Sequence, residues 1–177
     1  QATVTVVENA DVDAGTDATR PFHPLGDDGR SAFSDAGAAG SQISPELAPL
    51  EREPIIVKRD ASCFTAPALA EAIKRYAVDW LIVGGCWTEA CVAATVKDGV
   101  ERGIRILLVK DACGSGSRAM QETAILNIAN RLYGGAVADT DRTVALIGGG
   151  AASVWRTALP VPIKFTYDSA SRDYENL

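Results

Sequence analysis

The sequence predicts an α/β fold built on a parallel sheet, and three observations carry that reading. Short apolar runs alternate with amphipathic helical patterns along most of the chain. The run Trp80-Leu81-Ile82-Val83 is apolar at every position, as in a strand covered by helices on both faces. Glycines mark the junctions: Gly84-Gly85 after that run, Gly103 before the next, and Gly134-Gly135 after the helical pattern that follows. With 177 residues, one domain is expected, large enough to bury a core without staples.

In chain order, residues 2–7 alternate β-branched positions and predict a short strand. Residues 8–52 lose all periodicity, with Pro21, Pro24, Pro45 and Pro49 as breakers. A loop of that length reads either as a functional lid or as a mobile surface segment. Pro54-Ile55-Ile56-Val57 is a buried strand ending at Lys58. A helix is expected over 67–76, with Thr65 as its cap, Pro67 in its first turn, and Leu69, Ile73 and Tyr76 on one face. After the strand at 80–83 comes a sharp turn, Cys86-Trp87-Thr88-Glu89, and then a helix over 89–102 closed by Gly103. A strand over 104–109 leads to Lys110-Asp111-Ala112-Cys113, at a strand end where open α/β sheets bind ligands. Gly114-Ser115-Gly116-Ser117 lacks both phosphate-loop spacings. Met120, Ala124, Ile125, Ile128 and Leu132 outline the next helix, 136–138 a strand, and 141–147 a last short helix. Residues 1–147 thus form the domain, and 148–177 read as an extended tail, packing on a neighbouring subunit or left as a flexible terminus.

Composition excludes several functions. The net charge of −6 gives nucleic acid and anionic membranes nothing to hold. No apolar run approaches a membrane span, and no signal peptide is expected. Four cysteines without a CxxC fit neither a disulfide framework nor that kind of zinc site, so free thiols in a reducing, cytoplasmic setting are expected. His23 is the one histidine, which removes a His-rich metal centre and disfavours a Cys-His pair.

The chemistry gathers at Cys91. It sits in the first turn of a helix that follows the C-terminal end of a strand. Unpaired N–H groups and the helix dipole stabilise a thiolate there, and the same N–H groups can hold an oxyanion. The competing reading is a small core residue on a buried helix. Lys58 has a similar pair of readings, as a functional ammonium or as the first solvated residue after a strand.

Gly85-Cys86-Trp87-Thr88-Glu89-Ala90-Cys91-Val92, followed by Thr95, Asp98, Gly103 and Asp111-Ala112, resembles the signature of the isochorismatase-like cysteine hydrolases. That group includes nicotinamidases, N-carbamoylsarcosine amidase and related amidases. Ser44-Pro45-Glu46-Leu47-Ala48-Pro49, Ile56-Val57-Lys58 and Ser62-Cys63-Phe64 are also similar to the family's approach to its lysine. The likeness runs from about residue 40 to about 146 and covers neither the N-terminal loop nor the tail.

The resemblance implies a three-layer α/β/α sandwich with a mainly parallel, doubly wound sheet. It also implies a catalytic Asp, Lys and Cys. Cys91 would be the nucleophile, Lys58 the cation beside it, and the Cys86–Trp87 peptide bond the family's cis bond at the oxyanion hole. Phe64, Trp87 and Cys113 would line the pocket, and Arg118 would meet a substrate carboxylate, each with a structural alternative. The family's aspartate ends a first strand that this sequence does not display, because residues 2–7 look like the second strand. Either a further segment or chain supplies it, or Glu8, Asp11 or Asp13 takes its place, or the protein is catalytically impaired. The first is favoured, since without that strand two apolar sheet edges would go unpaired. The expected function is hydrolysis of a small amide, carbamoyl or ureido compound through a thioester on Cys91, with no cofactor and no metal, in a homo-oligomer. The rivals are a binding protein of the same fold and a redox sensor pairing Cys91 with Cys86 or Cys113.

Overall fold

The computed structural model describes residues 6–9, 26–27, 42–157 and 163–177. The chain divides into two compact units, 1–71 and 72–177. In the first, β1 (Val6–Asn9) pairs in parallel with β2 (Ile55–Lys58), setting Val6 against Ile55 and Asn9 against Lys58. The first strand therefore extends beyond the predicted stretch, to Asn9, and residues 2–5 of that stretch lie outside the described residues. Ile56 and Lys58 are buried while Ile55 and Val57 are half exposed, the alternation of a pleated strand. A short turn, Cys63–Thr65, precedes α1 (Pro67–Arg75). Thr65 does not cap that helix with its hydroxyl, which turns back to donate to the Ser62 carbonyl at 2.8 Å.

The second unit holds a parallel sheet in the order β3 (Trp80–Cys86), β4 (Arg105–Gly114), β5 (Ala136–Ala138). Period-two alternation sorts its core. Ile106 and Leu108 of β4 face α2 (Ala93–Glu101) and α3 (Arg118–Ala129), meeting Val96, Ile125 and Leu126 in one cluster. On the opposite face Leu107, Ala136 and Ala138 meet Trp80, Leu146 and Val154. Gly103, at φ +75°, ends the helical stretch as a left-handed cap, its N–H donating to Val100. The fourth helix, α4 (Thr140–Ile147), starts from Asp139, which accepts the Arg142 N–H. Among the described residues no helix is long and apolar enough to cross a membrane.

Four expectations change. The strand at Trp80 runs on through both glycines to Cys86, and its coverage is incomplete, with Ile82 45% exposed. The strand at Arg105 runs to Gly114, so Lys110-Asp111 lie inside β4 rather than just past its C-terminal end. The single helix expected over 89–102 is a π turn, Thr88–Val92, followed by α2. The tail is not extended throughout. Trp155 bridges to Val137, α5 (Ala170–Glu175) forms near the end, and Ala170 and Leu177 are buried in the core of this unit.

Candidate active site

Between Val83 and Gly85 the β3–β4 register slips, pairing Val83 with Leu108 but Gly85 with Cys113. The extra residues of β4 bulge there, and Gly84 lies so close that a Cβ on it would sit 2.9 Å from the Ala112 carbonyl oxygen. β3 ends at Cys86, still paired with Gly114, and a cis peptide bond joins Cys86 to Trp87 just beyond the sheet, where the resemblance puts one.

The π turn begins at once. The Trp87 carbonyl accepts from the N–H of Ala90 at 3.1 Å and of Val92 at 3.2 Å. Single π turns recur at functional sites. Cys91 lies in this turn and is half-buried. Trp87 is 49% exposed, and a Cβ on Gly116 would stand 3.6 Å from its ring. The Gly-Ser loop is tied to the turn, with Ser115 Oγ donating to Glu89 Oε2 at 2.6 Å. The turn's other anchor, Thr88, is completely buried.

The other thiols differ. Cys86 is exposed, whereas Cys113 is half-buried and burial pushes its thiol up to about 12. A thiol that stays protonated at neutrality is a poor partner for a sensor disulfide.

Arg118 opens α3 and is already engaged. Its Nε donates to Glu122 Oε1 at 2.6 Å and its second nitrogen to Glu175 at 3.4 Å, with the side chain 75% exposed. Glu122 is buried, and hydrogen bonds from Ser171 and Arg118 hold its carboxyl below the usual range. Lys110 and Asp111, read from sequence as residues at a ligand-binding strand end, have structural partners. Lys110 Nζ donates to the Tyr174 carbonyl at 2.9 Å, and Asp111 accepts from the N–H and hydroxyl of Thr140. No local signal announces these contacts.

The remaining candidates belong to the first unit. Lys58 is 5% exposed, its Nζ donating to the Asp60 carbonyl at 3.0 Å. Phe64 is buried in the Cys63–Thr65 turn, its N–H bonded to Ser62 Oγ. Glu8 pairs with Val57 in the β1–β2 ladder, and Asp11, Asp13 and His23 lie outside the described residues. Among the described residues no group of three or more His, Cys, Asp and Glu side chains gathers as a metal site would require.

The Isochorismatase domain model matches residues 2–142. Maleamate amidohydrolase of Pseudomonas putida is 30% identical over 95 residues, covering 54% of this chain and 44% of that protein. N-carbamoylsarcosine amidase of an Arthrobacter species is 30% identical over 104 residues, covering 59% and 39%. The matches therefore span less than half the length of these two relatives. In three dimensions an isochorismatase-like hydrolase from Alkaliphilus metalliredigens superposes with a TM-score of 0.69 at 24% identity, over 82% of this chain and 73% of that one.

Proposed function

This chain belongs to the isochorismatase family and carries its α/β sandwich fold; on that premise we propose that it is a cysteine-dependent hydrolase of a C–N bond in a small amide, carbamoyl or ureido compound. The observation that carries the proposal is Cys91, accessible in a π turn directly after the end of β3 and close in sequence to the exposed Trp87. The amidohydrolase names of two relatives favour the C–N bond as the one cleaved.

In this reading the Cys91 thiolate attacks the carbonyl carbon and forms an S–C bond. The negative charge moves to the carbonyl oxygen, where the N–H groups of Trp87 and Cys91 receive it. The C–N bond breaks as an acid gives its proton to the leaving nitrogen, and ammonia or an amine departs. Water then adds to the thioester, releasing the carboxylate or carbamate and restoring the thiol. Lys58 supplies positive charge to the thiolate. Trp87 and Phe64 contact the substrate, and Arg118 offers its exposed guanidinium to a substrate carboxylate.

The acid is the open element, and we assign it to a further strand rather than to Glu8, Asp11 or Asp13. Soluble proteins blunt sheet edges with charge, proline or short length. Among the described residues β3 ends its ladder, yet its first four residues are Trp80, Leu81, Ile82 and Val83, with Ile82 45% exposed. An edge of that composition supports pairing with another strand, from a longer polypeptide or a companion chain. The enzyme would act as a homo-oligomer in a thiol-reducing compartment.

The test is alkylation by iodoacetamide followed by peptide mass spectrometry. Cys91 should label fast and at a rate nearly flat across neutral pH, the signature of a poised thiolate, and Lys58→Ala should abolish that advantage. Ammonia release from maleamate and N-carbamoylsarcosine should vanish in Cys91→Ser. Slow labelling, rising with pH as for an ordinary thiol, would sink the hydrolase in favour of a ligand-binding relative. Native intact mass should reveal a bound segment containing a carboxylate.

A further inference from the structure

Two buried polar side chains that the mechanism leaves unused, Lys110 and Thr88, are joined through the partly exposed Gln121 into one chain in the second unit. Lys110, 6% exposed, aims its Nζ at the end of α5, donating to the carbonyls of Tyr174 at 2.9 Å and Glu175 at 3.4 Å. The same amine lies 4.8 Å from the centroid of the Tyr174 ring. The carbonyl of Lys110 accepts from Gln121 Nε2 at 3.0 Å. At its other end Gln121 accepts, through Oε1, from Thr88 Oγ1 at 2.5 Å. Thr88 Oγ1 also lies 2.9 Å from the Gly114 carbonyl. Thr88 is the first residue of the turn that holds Cys91.

The orientation of this chain is determined by chemistry. A carbonyl only accepts, so Lys110 forces the NH2 of the Gln121 amide toward itself and leaves its oxygen facing Thr88. The Thr88 hydroxyl has one hydrogen for two acceptors, one on α3 and one at the end of β4. Replacing it with a methyl group would remove the one hydrogen these two acceptors share, beside a side chain that is itself fully buried. The π turn is held along its own axis by the Trp87 carbonyl, shared between two amides. Its rotation about that axis is left to lateral tethers such as Thr88.

We propose that Thr88 and Gln121 are positioning residues for Cys91. The amide, braced by the Lys110 carbonyl and through Lys110 by the C-terminal helix, sets the rotation of the π turn and so the direction of the Cys91 sulfur. The proposal rests on Cys91 being the nucleophile, and neither residue is assigned contact with substrate.

The 177-residue chain carrying Thr88→Val, Thr88→Ser, Gln121→Met or Gln121→Glu tests it, with iodoacetamide rates at Cys91 from pH 6 to 9 and amide exchange at Ala90 and Val92. Thr88→Val and Gln121→Met should each slow alkylation at pH 7 about tenfold, the effect of one lost hydrogen bond. They should also make the rate rise with pH as for an ordinary thiol, and speed exchange at both amides. Thr88→Ser, which keeps the hydroxyl, should restore rate, profile and exchange. Gln121→Glu keeps the acceptor for Thr88 but loses the donor to Lys110, and should fall between. Wild-type rate, profile and exchange in both Thr88→Val and Gln121→Met would overturn the proposal. If Thr88→Val does not fold, Gln121→Met at a partly exposed position decides alone. Ordinary thiol behaviour in the wild type would overturn the hydrolase reading instead, and exchange at Ala90 and Val92 would still judge the positioning.

Discussion

Gly135 offers a quantitative check on the packing of the second unit. It precedes β5, and its N–H donates to the Leu132 carbonyl at 3.0 Å. A Cβ there would lie 2.5 Å from the Ile106 carbonyl oxygen, 3.3 Å from its nitrogen and 3.4 Å from its carbonyl carbon. Non-bonded heavy atoms are at ease at roughly 3.5–4.0 Å, so Gly135→Ala intrudes by about 1 Å. The obstacle is backbone in the paired part of β4, where Ile106 is 0% exposed and opposite Leu81. Overpacking of this kind costs roughly 1–3 kcal/mol. Restricting the unfolded chain returns roughly 0.4–1 kcal/mol. With the clash at the upper end, a net loss of about 2 kcal/mol remains, or roughly 4–8 °C in Tm for a chain of this size. Thermal melts by circular dichroism read the result. Gly84→Ala, meeting the Ala112 oxygen at 2.9 Å, should lose less. Gly116→Ala, with no atom nearer than 3.6 Å, should melt with the wild type. If Gly135→Ala were indistinguishable from Gly116→Ala, the close approach of Gly135 to β4 would be refuted.

Two further predictions concern titratable groups. The Asp139 carboxyl is held below its usual range, first by the Arg142 N–H and then by the Arg142 guanidinium. Its stabilisation is therefore complete above the ordinary carboxylate pKa and is lost as pH falls through the lower folded value. The Tm gap between wild type and Asp139→Ala should be full at neutral pH and close in strong acid, and a gap unchanged at about pH 2 would contradict the cap. Cys113, pushed up to about 12, should escape alkylation at neutral pH in the native chain and label after denaturation; labelling as fast as that of exposed Cys86 would refute its burial.

Local pattern revealed what depends on neighbours in sequence. Strand, turn, helix and strand around Cys91 were readable because Gly84-Gly85 and Gly103 punctuate them, and the family signature falls on the same residues. Lys110 was misread because a lysine after the apolar run Ile106-Leu107-Leu108-Val109 ordinarily marks a strand end. Its acceptors lie 64 and 65 residues later, beyond any periodicity. The six residues of α5 carry no side-chain cap and no long apolar stripe, so only docking on α3 makes them helical. The anchoring of Thr88 was hidden for the same reason, its partners being 26 and 33 residues away. Ile82 looked like the centre of a covered strand because composition does not say what packs on each face of a strand.

The embrace of Lys110 by α5 bears on synthesis. The ribosome adds roughly 5–20 residues each second, so after Lys110 emerges its carbonyl acceptors follow roughly 3–13 s later. Throughout that interval the nascent domain lacks the acceptors of the Lys110 amine and the side chain of Leu177 that completes its core, a window in which chaperone occupancy should be highest and where a translational pause would matter most.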